Sequence, residues 1–91
     1  MESYRFVISG KVQHVYYRKF VSQALMRKQV QGYVRNLIDG RVEAVTRLWE
    51  EDVDTVLEIL KRGSPSSEVE DITIDVLEDD DLIYDGFEIR Y

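Results

Sequence analysis

The segment Gly10–Tyr17, with Arg18 directly after it, holds the residues best suited to binding an anion. The preceding segment, Tyr4–Ser9, alternates in polarity like a β-strand, and the following one, Lys19–Lys28, has a helical pattern. A strand that turns through a short loop into a helix directs several backbone N–H groups and the positive end of the helix dipole at one point. Arg18 adds a cation with a planar fork of donors. We therefore predict a site for a phosphate-like anion, formed by Arg18 and by the backbone N–H groups of Gln13, His14, Val15, Tyr16 and Tyr17.

The distribution of charge also favours a small, focal anion site. The net charge is -6, but residues 1–36 contain seven Lys or Arg and one Glu, whereas residues 37–91 contain five Lys or Arg and seventeen Asp or Glu. A chain that is acidic over most of its length is poorly suited to an extended nucleic-acid backbone. We therefore expect a small-molecule ligand, such as a phosphate or sulfate anion, and no nucleic-acid partner.

The remaining patterns predict the elements that must position this site. A second and a third strand, Val30–Arg35 and Arg41–Leu48, flank Asp39-Gly40, which is a strong hairpin signal. Gly32 would end the helical unit that precedes them. An amphipathic helix follows, with its acidic start near residue 50 and its end at Gly63. Two further strands are centred on Ile74 and Ile89, and their apolar residues alternate with polar ones.

This order predicts an α+β fold in which residues 1–91 form one domain. Helices with one apolar face and strands with one apolar face bury both by stacking in two layers. The order β-α-β-β-α-β is that of the ferredoxin-like sandwich, in which an antiparallel sheet carries two helices on one face. Ninety-one residues without cysteine leave no disulfide or thiolate site. We therefore expect a small protein that acts as a monomer in the cytoplasm, with no membrane partner.

Two motifs in this chain resemble the signatures of the acylphosphatase family. Gly10-Lys11-Val12-Gln13, Val15 and the pair Tyr17-Arg18 resemble the first signature, usually Gly-x-Val-Gln-Gly-Val-x-Phe-Arg. The segments Gly32–Asn36 and Asp39–Glu43 resemble the second. The resemblance continues to Gly63-Ser64-Pro65 and to Phe87-Glu88-Ile89.

The resemblance implies an activity and a role for two side chains. It implies metal-independent hydrolysis of the carboxyl–phosphate bond of an acyl phosphate, with no cofactor. The residue matching Arg18 binds the phosphate, and the residue matching Asn36 orients the attacking water. Both types suit these roles, because a guanidinium stabilises the charge of a transferring phosphoryl group and a carboxamide offers both a donor and an acceptor. Gln13 is expected to be structural.

His14 is the departure that matters most, since it stands where the family pattern has Gly. If that position requires φ > 0, a side chain there costs about 1–2 kcal/mol. The alternative function is therefore an anion-binding module whose turnover is weakened by His14. Trp49 stands where the family pattern has a turn, and we expect it to be half-buried against the sheet edge. The acidic run Asp79–Asp81 is expected to form a solvated, mobile loop in preference to a calcium site.

Two unrelated functions share the same element order. An RNA-recognition domain needs basic and aromatic residues on its central strands, and Arg41–Leu48 contains no aromatic residue. A heavy-metal carrier needs cysteines, which the chain lacks. An acyl phosphate hydrolase therefore fits the sequence better than either.

Overall fold

The computed structural model describes residues 1–78 and 86–91. A 3₁₀ turn, Glu50–Asp52, precedes the second helix. The other elements in chain order are β1 (Glu2–Lys11), α1 (Tyr17–Arg27), β2 (Gln31–Asn36), β3 (Val42–Leu48), α2 (Val53–Arg62), β4 (Glu68–Leu77) and β5 (Phe87–Arg90). The run Asp79–Asp81, for which we predicted a solvated loop, lies outside the described residues.

The five strands form one sheet in the order β4-β1-β3-β2-β5, which confirms the predicted ferredoxin-like α+β fold. β1 pairs antiparallel with β3 and β4, and β3 pairs antiparallel with β2. The predicted sheet was wholly antiparallel, and in this respect it needs correction, because β5 joins β2 in parallel. The alternation of polarity that identifies a strand does not reveal which strand it pairs with or in which direction. The sequence therefore gives no indication that β5 pairs in parallel with β2.

The core lies between the two helices and one face of the sheet. Tyr4, Phe6 and Ile8 of β1 alternate toward this face, as the period-two pattern predicted. α1 and α2 each bury an apolar stripe against it. Full burial of an apolar side chain of this size contributes about 1.5–3 kcal/mol. The helix residues that are both apolar and fully covered are Tyr17, Val21, Leu25, Val56 and Leu60.

The end of α1 differs from the predicted one. Gly32 was expected to end the helical unit, but the helix ends at Arg27, and Gln29 takes the left-handed conformation with φ of 60°. Gly32 lies inside β2, where a β-carbon would stand 1.9 Å from the carbonyl oxygen of Val45. Close strand packing therefore requires this glycine. Trp49 has 54% of its surface exposed and is thus about half-buried, as expected.

The strand register brings the carboxyl-terminal ends of β1 and β2 to the same end of the sheet. Ile8 lies opposite Val42, and Val42 lies opposite Asn36 on its other side. Neighbouring strands are spaced about 4.8 Å apart and β3 lies between β1 and β2, so Asn36 lies about 10 Å from β1. The loop that leaves β1 and the last residue of β2 are therefore neighbours in space.

Candidate active site

An open cavity of about 620 Å³ lies at the end of the sheet where β1 and β2 terminate. The loop after β1, the start of α1, the end of β2 and the end of β5 all contribute to its wall. Both Arg18 and Asn36 line it, so the fold brings the two predicted catalytic side chains to one concavity. The lining residues are Val12, His14, Tyr16, Arg18, Lys19, Asn36, Ile89 and Tyr91.

The β1–α1 loop (residues 12–16) has an unusual backbone. His14 has φ of 62° and Tyr16 has φ of 61°, both in the left-handed region. The condition under which a side chain at position 14 was expected to be costly, φ > 0, thus applies to His14. A chain that alternates between right- and left-handed residues turns successive N–H groups into one concavity, which suits an anion. Among the described residues, no hydrogen-bond acceptor contacts the N–H groups of residues 13–16.

Gln13 ties this loop to the β2–β3 turn. Its side-chain Nε2 donates to the carbonyl oxygens of Leu37 at 2.8 Å and Arg41 at 2.9 Å. These two bonds use both N–H groups of the amide. Gln13 is therefore structural, as predicted, and it fixes the loop relative to the strand that ends at Asn36.

The side chains of Val15 and Tyr17 point away from the cavity and into the core. Val15 and Tyr17 are both buried, and the Tyr17 hydroxyl donates to the carbonyl oxygen of Leu60 at 2.7 Å. Burial raises the pKa of Tyr17 well above its ordinary value, so this phenol stays neutral. These two residues can contribute to a ligand site only through their backbone N–H groups, as the sequence predicted for them.

Arg18 is held by neutral groups of β5 and the residue after it. Its Nη1 donates to the carbonyl oxygen of Arg90 at 3.0 Å, and its guanidinium carbon lies 4.8 Å from the centre of the Tyr91 ring. Within residues 1–78 and 86–91, Arg18 forms no ion pair with a carboxylate. A guanidinium has five N–H donors. The geometry thus fixes its orientation and leaves charge and donors for a ligand.

Asn36 lines the cavity, and its amide oxygen is an unpaired acceptor. Its Oδ1 is buried and, in the described structure, has no hydrogen-bond partner. A buried polar atom left unpaired costs about 1–3 kcal/mol, so such atoms usually have a partner that completes them. In this position Oδ1 is covered, so it would meet a water molecule or a ligand donor in the cavity only after the amide turns.

Four cavity residues, the buried Val12 among them, were not predicted as site residues from the sequence. Lys19 adds a second cation beside Arg18, and Ile89 and Tyr91 add apolar surface. Lys19 follows Arg18 directly and could have been included for its charge. Ile89 and Tyr91 reach the site only because β5 pairs in parallel with β2, and no local pattern indicates that pairing.

A second group of charges lies on the other face of the sheet. Glu43 is buried and accepts hydrogen bonds from Arg5 and from Arg35, the latter at 2.7 Å. Burial acts to raise the pKa of Glu43, but the hydrogen bonds and charges of Arg35 and Arg5 outweigh it and hold the pKa below its ordinary value. Tyr33 also donates to this carboxylate. The group is a buried carboxylate with its charge compensated.

The residues that the structure describes contain no group of three or more His, Cys, Asp or Glu side chains arranged to hold a metal ion. None of their helices combines the length and the apolar character needed to cross a membrane.

Comparison with known proteins identifies the family. The acylphosphatase family model matches residues 4–89. The acylphosphatase of Haloquadratum walsbyi is 43% identical over 83 residues, which cover 91% of this chain and 87% of that protein. The acylphosphatase of Methanocella arvoryzae is 37% identical over 90 residues, 99% of this chain and 100% of that protein. A crystal structure of acylphosphatase from Bacillus subtilis matches with a TM-score of 0.91 at 34% identity, covering 100% of both chains. The chain belongs to the acylphosphatase family.

Proposed function

We propose that Arg18 and Asn36 are the catalytic residues of an acylphosphatase. The protein is an enzyme that hydrolyses the carboxyl–phosphate bond of an acyl phosphate to a carboxylate and inorganic phosphate. One observation carries the assignment of the residues. A single cavity is lined by Arg18, by Asn36, whose amide oxygen has no partner in the described structure, and by His14 and Tyr16 of the left-handed loop between β1 and α1.

Arg18 and the loop N–H groups bind the phosphate of the substrate. In the transition state the phosphoryl group is loosely bonded to both the leaving and the entering oxygen, and charge spreads over its three equatorial oxygens. Arg18 and the N–H groups of residues 13–17 meet those oxygens. The tie to Arg90 and Tyr91 keeps the guanidinium in place before substrate binds, so little reorganisation is needed during reaction.

Asn36 holds the attacking water in line with the leaving carboxylate. Once the amide turns toward the cavity, its Oδ1 accepts a hydrogen bond from the water, whose oxygen then bonds to phosphorus as the bond between phosphorus and the carboxylate oxygen breaks. The electron pair of the broken bond stays on the carboxylate. The proton released by the water passes to an oxygen of the transferred phosphate. A carboxylate is a stable leaving group, so no side chain needs to protonate it.

The reaction as proposed uses no metal ion and no cofactor. Arg18, with Lys19 beside it at the cavity wall, supplies the positive charge that a metal supplies in other phosphoryl-transfer sites. We also propose, on the sequence grounds given above, that the enzyme is a cytoplasmic monomer that acts on a small molecule and has no nucleic-acid or membrane partner.

Hydrolysis of a simple acyl phosphate, such as an aryl carbonyl phosphate, tests the proposal. Purified wild-type protein should release carboxylate and phosphate in the presence of a chelator. Arg18→Ala should lower kcat/KM by about 10⁴-fold, because it removes both the preorganised donors and the charge that stabilise the transferring phosphoryl group. Lys61→Ala, which removes a cation exposed on α2, is the matched control and should leave the rate unchanged. A folded wild type without activity, or an active Arg18→Ala variant, would contradict the proposal.

The described residues contain nothing that favours the alternative of a weakened anion-binding module. His14 does occupy a left-handed position, and its side chain is exposed at the mouth of the cavity. His is among the residues that tolerate this backbone better than most. Its presence is therefore compatible with the loop conformation that an anion site requires.

A further inference from the structure

A buried serine contacts the β1–α1 loop from the side opposite the cavity. Ser64 follows α2 and Gly63, and only 4% of its surface is exposed. Its hydroxyl donates to the carbonyl oxygen of Val15 at 2.6 Å, across a separation of 49 residues in the chain. Val15 is itself buried, so this bond is shielded from water.

This bond determines which way one peptide unit of the loop faces. The carbonyl of Val15 and the N–H of Tyr16 belong to the same peptide plane, and in a trans peptide these two groups point in opposite directions. The carbonyl points toward Ser64 and the protein interior. The N–H of Tyr16 therefore points away from the interior, and Tyr16 lines the cavity.

Ser64 is itself rigidly held. Its backbone N–H donates to the Ser67 hydroxyl at 2.9 Å, and that hydroxyl donates to the carbonyl oxygen of Ser64 at 2.8 Å. The N–H of Ser67 closes the same turn with a bond of 3.1 Å to the Ser64 carbonyl. The turn is packed beneath Tyr17, because a β-carbon on Gly63 would lie 2.7 Å from the Tyr17 ring. The hydroxyl of Ser64 thus has one defined position.

The loop needs such support because its conformation is unfavourable by itself. His14 and Tyr16 both adopt left-handed φ values that residues with a β-carbon usually avoid. A strained backbone persists only where surrounding contacts determine it. Gln13 supplies two of these contacts on the side of the β2–β3 turn, and Ser64 supplies the one beneath the loop.

We infer that Ser64 is a positioning residue for the reaction: its bond to Val15 aims the N–H of Tyr16 at the phosphate of the substrate. The inference rests on the proposed function, since it assigns a source of precision to the same anion site. Ser64 does not touch the substrate. It acts through the orientation of one peptide group.

The kinetics of Ser64→Ala test this role. The variant should show kcat lowered about tenfold and a dissociation constant for inorganic phosphate raised about tenfold. Ser64→Thr, which keeps the hydroxyl, should recover part of the loss. Ser66→Ala is the matched control, because Ser66 is exposed in the same turn. A Ser64→Ala protein that is less stable to urea but unchanged in kcat and in phosphate binding would show a merely structural role and overturn the inference.

A measurement on the wild type keeps the inference testable if Ser64→Ala does not fold. In an amide NMR titration with inorganic phosphate, the proton of Tyr16 should move downfield as it donates to a phosphate oxygen. An unmoved Tyr16 resonance, with other loop amides shifting, would overturn the inference. These outcomes separate the two proposals: a wild type that binds phosphate through Tyr16 without hydrolysing acyl phosphate refutes only the function, and an unaltered active Ser64→Ala refutes only the positioning role.

Discussion

Arg18 donates to a backbone carbonyl and lies against an aromatic ring, whereas Arg35 donates to the buried carboxylate of Glu43 at 2.7 Å. The two arginines lie on opposite faces of the sheet. Arg35 precedes Asn36 in β2, so it faces away from the cavity that Asn36 lines. The same kind of side chain is thus placed in two different electrostatic settings.

The difference shows how a fold can separate binding from structure. A carboxylate partner fixes an arginine and also cancels its charge, so little attraction remains for a ligand. A carbonyl and a ring face fix the arginine through weaker dipole and cation–π interactions, which leave the net charge in place. Arg18 is therefore oriented and still available to an anion, whereas Arg35 is oriented and neutralised.

Exchange of each arginine for lysine should give the largest contrast. We expect Arg18→Lys to lower kcat/KM by about 10³-fold, because an ammonium keeps the charge but not the fork that bonds both Arg90 and a phosphate. Arg35→Lys should leave kcat/KM within twofold. Steady-state hydrolysis of one acyl phosphate by both variants makes the comparison. Equal losses would show that the setting of the arginine does not matter.

Neighbouring residues of β2 offer the next contrast. Asn36→Ala should lower kcat about 10²-fold with little change in KM, because it removes the acceptor that orients water and leaves phosphate binding intact. Arg35→Ala should leave kcat unchanged and lower the free energy of unfolding by about 1 kcal/mol. The two readouts are initial rates and urea unfolding. If KM instead of kcat responded to Asn36→Ala, the role in orienting water would be wrong.

Glu43→Gln sharpens the structural side of the comparison. The pKa of Glu43 is lower in the folded protein than in the unfolded chain, so its contribution is fully present above the unfolded pKa and is lost as the pH falls through the folded pKa. We expect the variant to be about 2 kcal/mol less stable at pH 7 and to lose less stability below about pH 4. Urea unfolding at several pH values measures both effects. A pH dependence of stability identical to that of the wild type would show that the ionised Glu43 carboxylate does not stabilise the fold.

The smallest effect is expected at His14. His14→Gly relieves a left-handed side chain, worth about 1 kcal/mol, although the greater freedom of Gly in the unfolded chain offsets part of this. The rate should therefore change less than tenfold. Inhibition of both proteins by sulfate, measured alongside the rate, reports whether the His14 side chain contributes to anion binding. A rate of His14→Gly more than tenfold away from that of the wild type would contradict the prediction.

The sequence predicted what local patterns encode. The alternation of Tyr4, Phe6 and Ile8, the Asp39-Gly40 turn and the stripe of α2 each depend on neighbours within a few residues, and all were confirmed. The motifs also placed Arg18 and Asn36 at the ends of elements that meet at one cavity. Gly32 misled, since a glycine that permits strand contact and one that ends a helix look alike in sequence.

What could not be predicted depends on distant pairs. The tie between Arg18 and Arg90 spans 72 residues, and the bond from Ser64 to Val15 spans 49. Neither has a periodic pattern, because each arises only when the strand order is set. The chemical groups of the site could therefore be predicted more readily than the contacts that hold them in position.

The cavity is assembled from three stretches of chain, around residues 12–19, at Asn36 and around residues 89–91. An unfolded polypeptide has no such constellation, so phosphate can bind only the native form. By thermodynamic linkage, a product concentration 100 times its Kd would stabilise the enzyme by about 2.7 kcal/mol. Its melting temperature should thus rise with phosphate, and the protein would report occupancy of its own site without any turnover.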